Sequence, residues 1–255
     1  MEPFQRIRIK RFNDSSLEEV EDPVAVEQRL KILVNGKEIL KLYCTPVMIR
    51  ELVVGFLMTE GIFRGTWCTE RMNIQHEEDE ITVDIPAEGE VVLDRATITS
   101  GCVGGVTFEK VEEEAPVMKG PFITAKRLFE LFEKFQKFSR LYRLTGCVHS
   151  AALSDGESIL VLTEDIGRHN AVDKVIGYSI MEKISLNDKI MLVSGRLSSE
   201  MVIKCSRWAV PILVSRTAPT TRALEIAQVR GITIIGFLRG RRFNIYSHPE
   251  RVLLS

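Results

Sequence analysis

ESILVLTEDIGRHNAVDKVIGYSIMEKISLNDKIMLVSG, residues 157–195, decides the fold. A short apolar run (157–164) is followed by a glycine, an amphipathic stretch (167–183) and a second apolar run that ends in Gly195. That order reads as strand, helix, strand, with each run at the length its element needs. The alternation continues through SSEMVIKCSRWA as helix, PILVS as strand, TTRALEIAQVR as helix and ITIIGFL as strand. FLRGRRFNIYS then closes the fold as an antiparallel hairpin turning at Arg239-Gly240. Repeated crossover units of this kind predict an α/β protein built on a mixed or parallel sheet. In such a sheet the strand-to-helix junctions share one edge and present helix N-termini there, so function is sought in those loops.

Upstream, TAKRLFELFEKFQKFSRLYRL places Leu128, Phe132, Phe135 and Phe138 at helical spacing behind a Thr124 cap, predicting a helix over 124–141. Five of the twelve phenylalanines fall between 122 and 138, which suits packing on a core or a dimer surface better than stacking on a cofactor. The N-terminal third reads as a smaller strand-rich unit around one helix. Asn35-Gly36 is a two-residue hairpin signal, and Thr45-Pro46 stands as cap and first residue of a helix that Gly61 stops. EEDEITVDIP reads as an acidic turn followed by an alternating strand. The expected division is a strand-rich N-terminal subdomain at 1–120 and a layered α/β domain at 121–255.

Lys plus Arg (34) nearly balance Asp plus Glu (35), so composition gives no general attraction to nucleic acid or membrane, and any anion site must be local. The chain has no apolar run long enough to span a bilayer. Its five cysteines are widely spaced and form no CxxC pair, which points to reduced thiols in the cytoplasm.

Three junctions carry basic and hydroxyl groups. EDIGRHNAVDKVIG supplies Arg168, His169 and Asn170, and His169 stands four residues before Asp173, a spacing at which the two can face each other on a helix. VSGRLSSEM supplies Gly195, Arg196 and Ser198, and SRTAPTTRA supplies Arg216, Thr220 and Thr221. Converging, they suit a phosphorylated or multiply anionic ligand. Neither GxGxxG nor GxxxxGK[ST] occurs. In TGCVHSAAL, Cys147 and His149 lie two apart, which does not establish a nucleophile and base pair if the segment is helical. A zinc hydrolase is disfavoured because Ala151 stands where H-x-E needs its acid and no CxxC is present, so no metal site is expected. Cys102 differs from the other cysteines: TSGCVGG surrounds it with Gly101, Gly104 and Gly105, which give a thiol access at little steric cost.

TSGCVGG, TGCVHSAAL, EDIGRHNAVDKVIG and VSGRLSSEMVIKC together resemble the formate dehydrogenase accessory sulfurtransferase family, over residues 22–250. The resemblance implies a cytidine deaminase-like core with a smaller N-terminal subdomain, and a homodimer. It implies a sulfur carrier that takes persulfide sulfur from a cysteine desulfurase onto Cys102. The sulfur then passes to the molybdenum bis(pterin guanine dinucleotide) cofactor of formate dehydrogenase. Cofactor contacts are expected at Arg168, His169, Asn170, Gly195, Arg196, Ser198, Arg216, Thr220 and Thr221. Many relatives carry CxxC in the cysteine loop, whereas Val103, Gly104 and Gly105 follow Cys102 here. That departure leaves a noncatalytic cofactor chaperone as the alternative reading.

Overall fold

The computed structural model of the chain describes residues 1–67, 69–91, 96–98, 106–108 and 120–253. It opens with an antiparallel hairpin, β1 (Phe4–Asn13) and β2 (Ser16–Ala25), whose side chains are mostly exposed. A second hairpin joins β3 (Gln28–Val34) to β4 (Lys37–Cys44) through Asn35 and Gly36, whose φ values of 52° and 75° are those a two-residue turn of this hand requires. α1 (Ile49–Thr59) follows, and Gly61 beyond it takes φ 65°, a stop that glycine adopts without strain. The predicted Thr45-Pro46 cap is not used. Met48 holds the N-cap position with no side-chain hydrogen bond, and Thr45 is committed to Asp165 instead.

β5 (Phe63–Trp67) pairs with β8 (Ala87–Val91). β6 (Asn73–His76) and β7 (Glu80–Ile85) complete a four-stranded sheet in the order β4-β3-β7-β6. β9 (Ala96–Ile98) pairs antiparallel with β10 (Val106–Phe108), and Cys102, like Cys68, lies outside the described residues.

β11 (Ile123–Thr124) leads into α2 (Ala125–Phe138), where the Thr124 hydroxyl accepts from the Arg127 N–H as the sequence predicts. The expected continuous helix over 124–141 is broken at Ser139. Its hydroxyl donates back to the Phe135 carbonyl and α3 (Arg140–Thr145) starts afresh. The remaining elements are β12 (His149–Ser154), β13 (Ile159–Asp165), α4 (Arg168–Met181), β14 (Ile190–Val193), α5 (Ser199–Arg207), β15 (Ile212–Ser215), α6 (Thr221–Arg230), β16 (Thr233–Arg239), β17 (Arg242–Ser247) and β18 (Val252–Leu253). Six of these strands form one sheet in the order β13-β12-β14-β15-β16-β17. β14, β15 and β16 run parallel, while β12 and β17 run against their neighbours, so the fold is mixed α/β.

The period of two splits this sheet's side chains cleanly. Leu153, Met191, Val193, Leu213 and Ile234 pack under α4, α5 and α6, while Ala152, Ile190, Leu192, Val214 and Ile235 face Leu128, Phe132 and Phe135 of α2. A separate core under the four-stranded sheet gathers Leu30, Ile32, Val53, Leu57, Val83 and their neighbours, and Ile180 of α4 packs against both it and the first cluster. α4 thus serves two sheets. It meets α1 at a very close crossing, where a Cβ on Gly55 would lie 1.8 Å from the Asp173 carbonyl oxygen and one on Gly177 1.8 Å from that of Glu51. Only glycine fits at either point.

Candidate functional site

The strand directions bring the C-terminal ends of β13, β14, β15 and β16 and the N-terminal end of β12 to one edge of the six-stranded sheet. At that edge Arg168 and His169 begin α4, Ser194, Gly195 and Arg196 follow β14, and Arg216 follows β15. Gly195 is a close point: a Cβ there would lie 3.3 Å from both His149 Nδ1 and Arg168 Cβ, so the glycine lets the His149 imidazole and the stem of the Arg168 side chain pack against the same backbone. The Ser194 hydroxyl lies 3.4 Å from His149 Nδ1 and accepts from the Ser150 N–H at 2.9 Å. The next two loops are tied together. The Ser215 hydroxyl donates to the Gly195 carbonyl (2.6 Å), Leu197 N–H to Ala218 O, and Thr220 N–H to Leu197 O.

Electrostatics at the edge follow from this crowding. His149 sits below its ordinary pKa, first because it is partly buried and then because Arg168 and, more weakly, Arg196 place positive charge near it, against the opposing effect of the Asp165 carboxylate. Glu200 in the first turn of α5 brings a carboxylate to this group. Its Oε2 lies 3.7 Å from His169 Nε2 and accepts from the Ser198 hydroxyl at 2.6 Å. The His169 contact, followed by the Ser198 hydrogen bond, draws its carboxyl down to about 2 despite the opposing effect of burial. Arg168 is almost fully buried while Arg196 and Arg216 are exposed, so the edge offers fixed and reaching positive charge together. Such a surface has the chemistry to pair with anions, phosphates among them, because arginine offers paired charge-assisted donors. Beside it, between Phe132, Phe135 and Tyr142 on one side and Cys147, His149 and Arg216 on the other, lies a cavity of about 430 Å³.

Of the residues predicted from sequence, the structure gathers Arg168, His169, Gly195, Arg196 and Ser198 at one place, with Arg216 on the cavity wall. Asn170 stands in the same turn, but its amide donates to Tyr43 O (2.8 Å) and Asp165 Oδ1 (2.9 Å). Thr220 caps α6 by accepting from the Ala223 N–H, and Thr221 is exposed in that helix's first turn. The expected facing of His169 and Asp173 is not found. Asp173 points the other way, fully buried, to Lys204 (2.9 and 3.0 Å) and the Thr59 hydroxyl (2.7 Å), with Glu60 on the same lysine at 2.6 Å. Against the desolvation that burial imposes, Asp173 and Glu60 hold the Lys204 ammonium above its ordinary pKa. Sequence reading overlooked Glu200, whose only signal was its position two after Ser198. It also left His149 without a role, because the segment was not recognised as a strand reaching the edge.

Residues 25–253 match the model of the FdhD/NarQ family. The sulfur carrier protein FdhD of Geobacillus kaustophilus (strain HTA426) is 35% identical over 257 residues, covering 98% of each chain. That of Bacillus subtilis (strain 168) is 36% identical over 250 residues, 95% of each. A crystal structure described as a formate dehydrogenase accessory protein from Desulfotalea psychrophila superposes with a TM-score of 0.80 at 29% identity, covering 99% of this chain and all of that one. With a family model spanning nearly its whole length and relatives aligned end to end, the chain belongs to the FdhD/NarQ family.

Proposed function

We propose that this protein is a sulfur carrier for formate dehydrogenase. It accepts sulfane sulfur from a cysteine desulfurase as a persulfide on Cys102 and passes it to the enzyme's molybdenum bis(pterin guanine dinucleotide) cofactor. The observation that carries this reading is the near end-to-end likeness to proteins named sulfur carrier FdhD. Loading is a thiol exchange: the Cys102 thiolate attacks the terminal sulfur of the donor's persulfide, a new sulfur–sulfur bond forms, and the donor cysteine leaves as thiolate. Transfer hands on that sulfur at the sulfane oxidation level and leaves Cys102 as thiolate, and a two-electron donor, such as a dithiol, would be needed to bring the sulfur to sulfide on the acceptor. The arginine-lined sheet edge supports the second half of the reading, because the acceptor carries two pyrophosphates that Arg168, His169, Arg196 and Arg216 would meet, with Gly195 and Ser198 beside them. A homodimer in the cytoplasm completes the proposal.

Burial disfavours two of the other thiols as sulfur acceptors, while Cys147 is exposed. Cys44 and Cys205 are fully buried, and burial pushes both thiols up, Cys205 to about 12, which makes them poor nucleophiles. The test is mass spectrometry after incubation with a cysteine desulfurase and cysteine, paired with activation of formate dehydrogenase. Cys102→Ala is expected to lose the cyanide-labile sulfur and the activation while retaining the fold. Full activation by Cys102→Ala would replace the carrier with a cofactor chaperone. Calorimetry with GDP in EDTA tests the edge, and binding is expected without Mg²⁺ because the arginines supply the compensating charge.

A further inference from the structure

The turn that presents Arg168 and His169 is fastened to the smaller sheet by polar contacts, those of Asp165 and Lys174 with Thr45 buried and that of Asn170 with Tyr43 at the surface. Asp165 ends β13 with no exposed surface. Its Oδ1 accepts from the Gly167 N–H (2.8 Å) and the Asn170 amide (2.9 Å). Its Oδ2 meets Lys174 Nζ at 2.6 Å and both the N–H and the hydroxyl of Thr45 at 3.1 Å. Lys174, equally buried, also donates to the Thr45 hydroxyl (2.8 Å), while the Asn170 amide reaches Tyr43 O (2.8 Å). Thr45 and Tyr43 belong to β4 and the residue after it, more than a hundred positions away in the chain.

We propose that Thr45 and Asn170 are positioning residues for anion binding, through which the end of β4 fixes where the first turn of α4 places Arg168 and His169 against Gly195 and Glu200. A buried ion pair is a poor source of net stability, since apolar residues of the same volume often serve as well or better. Such a pair does impose one geometry, because shifting any member leaves a charge unpaired in the interior. The five donors on Asp165 come from three places: the turn, one helical turn further along α4, and the smaller sheet. The turn therefore has no alternative seat that keeps the carboxylate satisfied. Thr45 is fully buried and cannot touch a ligand, so any effect it has on binding passes through the turn.

The proposal rests on the reading of the sheet edge as a phosphate site, and its test separates the two. Amide hydrogen exchange and GDP titration are carried out on the wild type, Thr45→Val, Thr45→Ser and Asn170→Ala, with thermal unfolding alongside. In Thr45→Val the amides of residues 167–171 should exchange about tenfold faster while the first turns of α5 and α6 do not change. GDP affinity should fall about tenfold, and Thr45→Ser, which restores the hydroxyl, should return both to near wild type. Should Thr45→Val fail to fold, Asn170→Ala gives the same exchange readout from the exposed side of the turn. Exchange that is unaltered in the folded variants overturns the proposal, as does a lowered melting temperature with unaltered GDP affinity, or a Thr45→Ser variant no better than Thr45→Val. If wild type fails to bind GDP, the phosphate reading of the edge falls, and the exchange data still decide whether Thr45 sets the turn.

Discussion

At the residue scale, accessibility and charge decide which side chains react. Cys147 is exposed at the cavity mouth, whereas Cys44 and Cys205 are buried. Brief alkylation of the native protein should therefore modify Cys147 and spare Cys44 and Cys205, as read by peptide mass spectrometry, with the last two reacting only in denaturant. His149 offers a second expectation. Its folded pKa lies below the 6.5 of the free side chain, chiefly from burial and then from Arg168. The unfolded chain then binds the proton more tightly, so this group favours the fold above pH 6.5 and penalises it as pH falls from there through the folded value. Glu200 acts over a lower window. Its stabilising contribution is present above 4.5 and is lost as pH drops from there toward about 2. An NMR titration should find the His149 midpoint below 6.5, and Arg168→Met should move it upward by removing a neighbouring positive charge. An unmoved midpoint would show that the guanidinium does not act on the imidazole.

Helix packing sets the element scale. α1 and α4 approach so closely at Gly55 and Gly177 that a methyl on either would overlap a carbonyl of the other helix. Gly55→Ala or Gly177→Ala should each destabilise by about 1–3 kcal/mol or more, measured as a lower urea midpoint, because relief requires moving a whole helix. The double variant should cost less than the sum, since one separation accommodates both methyls. These glycines were legible only as members of apolar periodic runs, and nothing in the sequence pairs position 55 with position 177. Thr45 shows the same limit. Thr-Pro is locally a good helix start, yet the hydroxyl is spent on Asp165, because a buried carboxylate left one donor short costs more than an absent cap.

Across the whole molecule, two buried ion clusters join the N-terminal sheet and its helix to α4 and α5. One is Thr45 with Asp165 and Lys174; the other is Thr59 and Glu60 with Asp173 and Lys204. Lys204→Met should be among the most damaging single changes, about 3–5 kcal/mol, because it strands two buried carboxylates around one vacated position. Asp173→Asn should cost less, since Lys204 keeps Glu60. Equilibrium denaturation of the two variants checks the order, and equal losses would mean that Glu60 contributes nothing to holding the lysine.

The layered α/β half was legible in the sequence, because its central strands are short continuous apolar runs, buried on both faces, that alternate with amphipathic helices. The sequence also placed Arg168, His169, Gly195, Arg196 and Ser198 on junctions that share an edge, since parallel strands leave their following loops on one side. The β1–β2 hairpin was not singled out: Arg6-Ile7-Arg8-Ile9-Lys10 alternates, but both strands stay mostly exposed. Tertiary structure alone decided that Asp173 turns to Lys204 rather than His169, that His149 reaches the edge beside Arg168, and that Glu200 faces His169. Spacing along a helix says which residues are neighbours on it, but not which face another part of the chain will bury. A buried charge takes its partner from wherever the fold brings one, here 31 residues away for Asp173 and 120 for the Thr45 contact with Asp165.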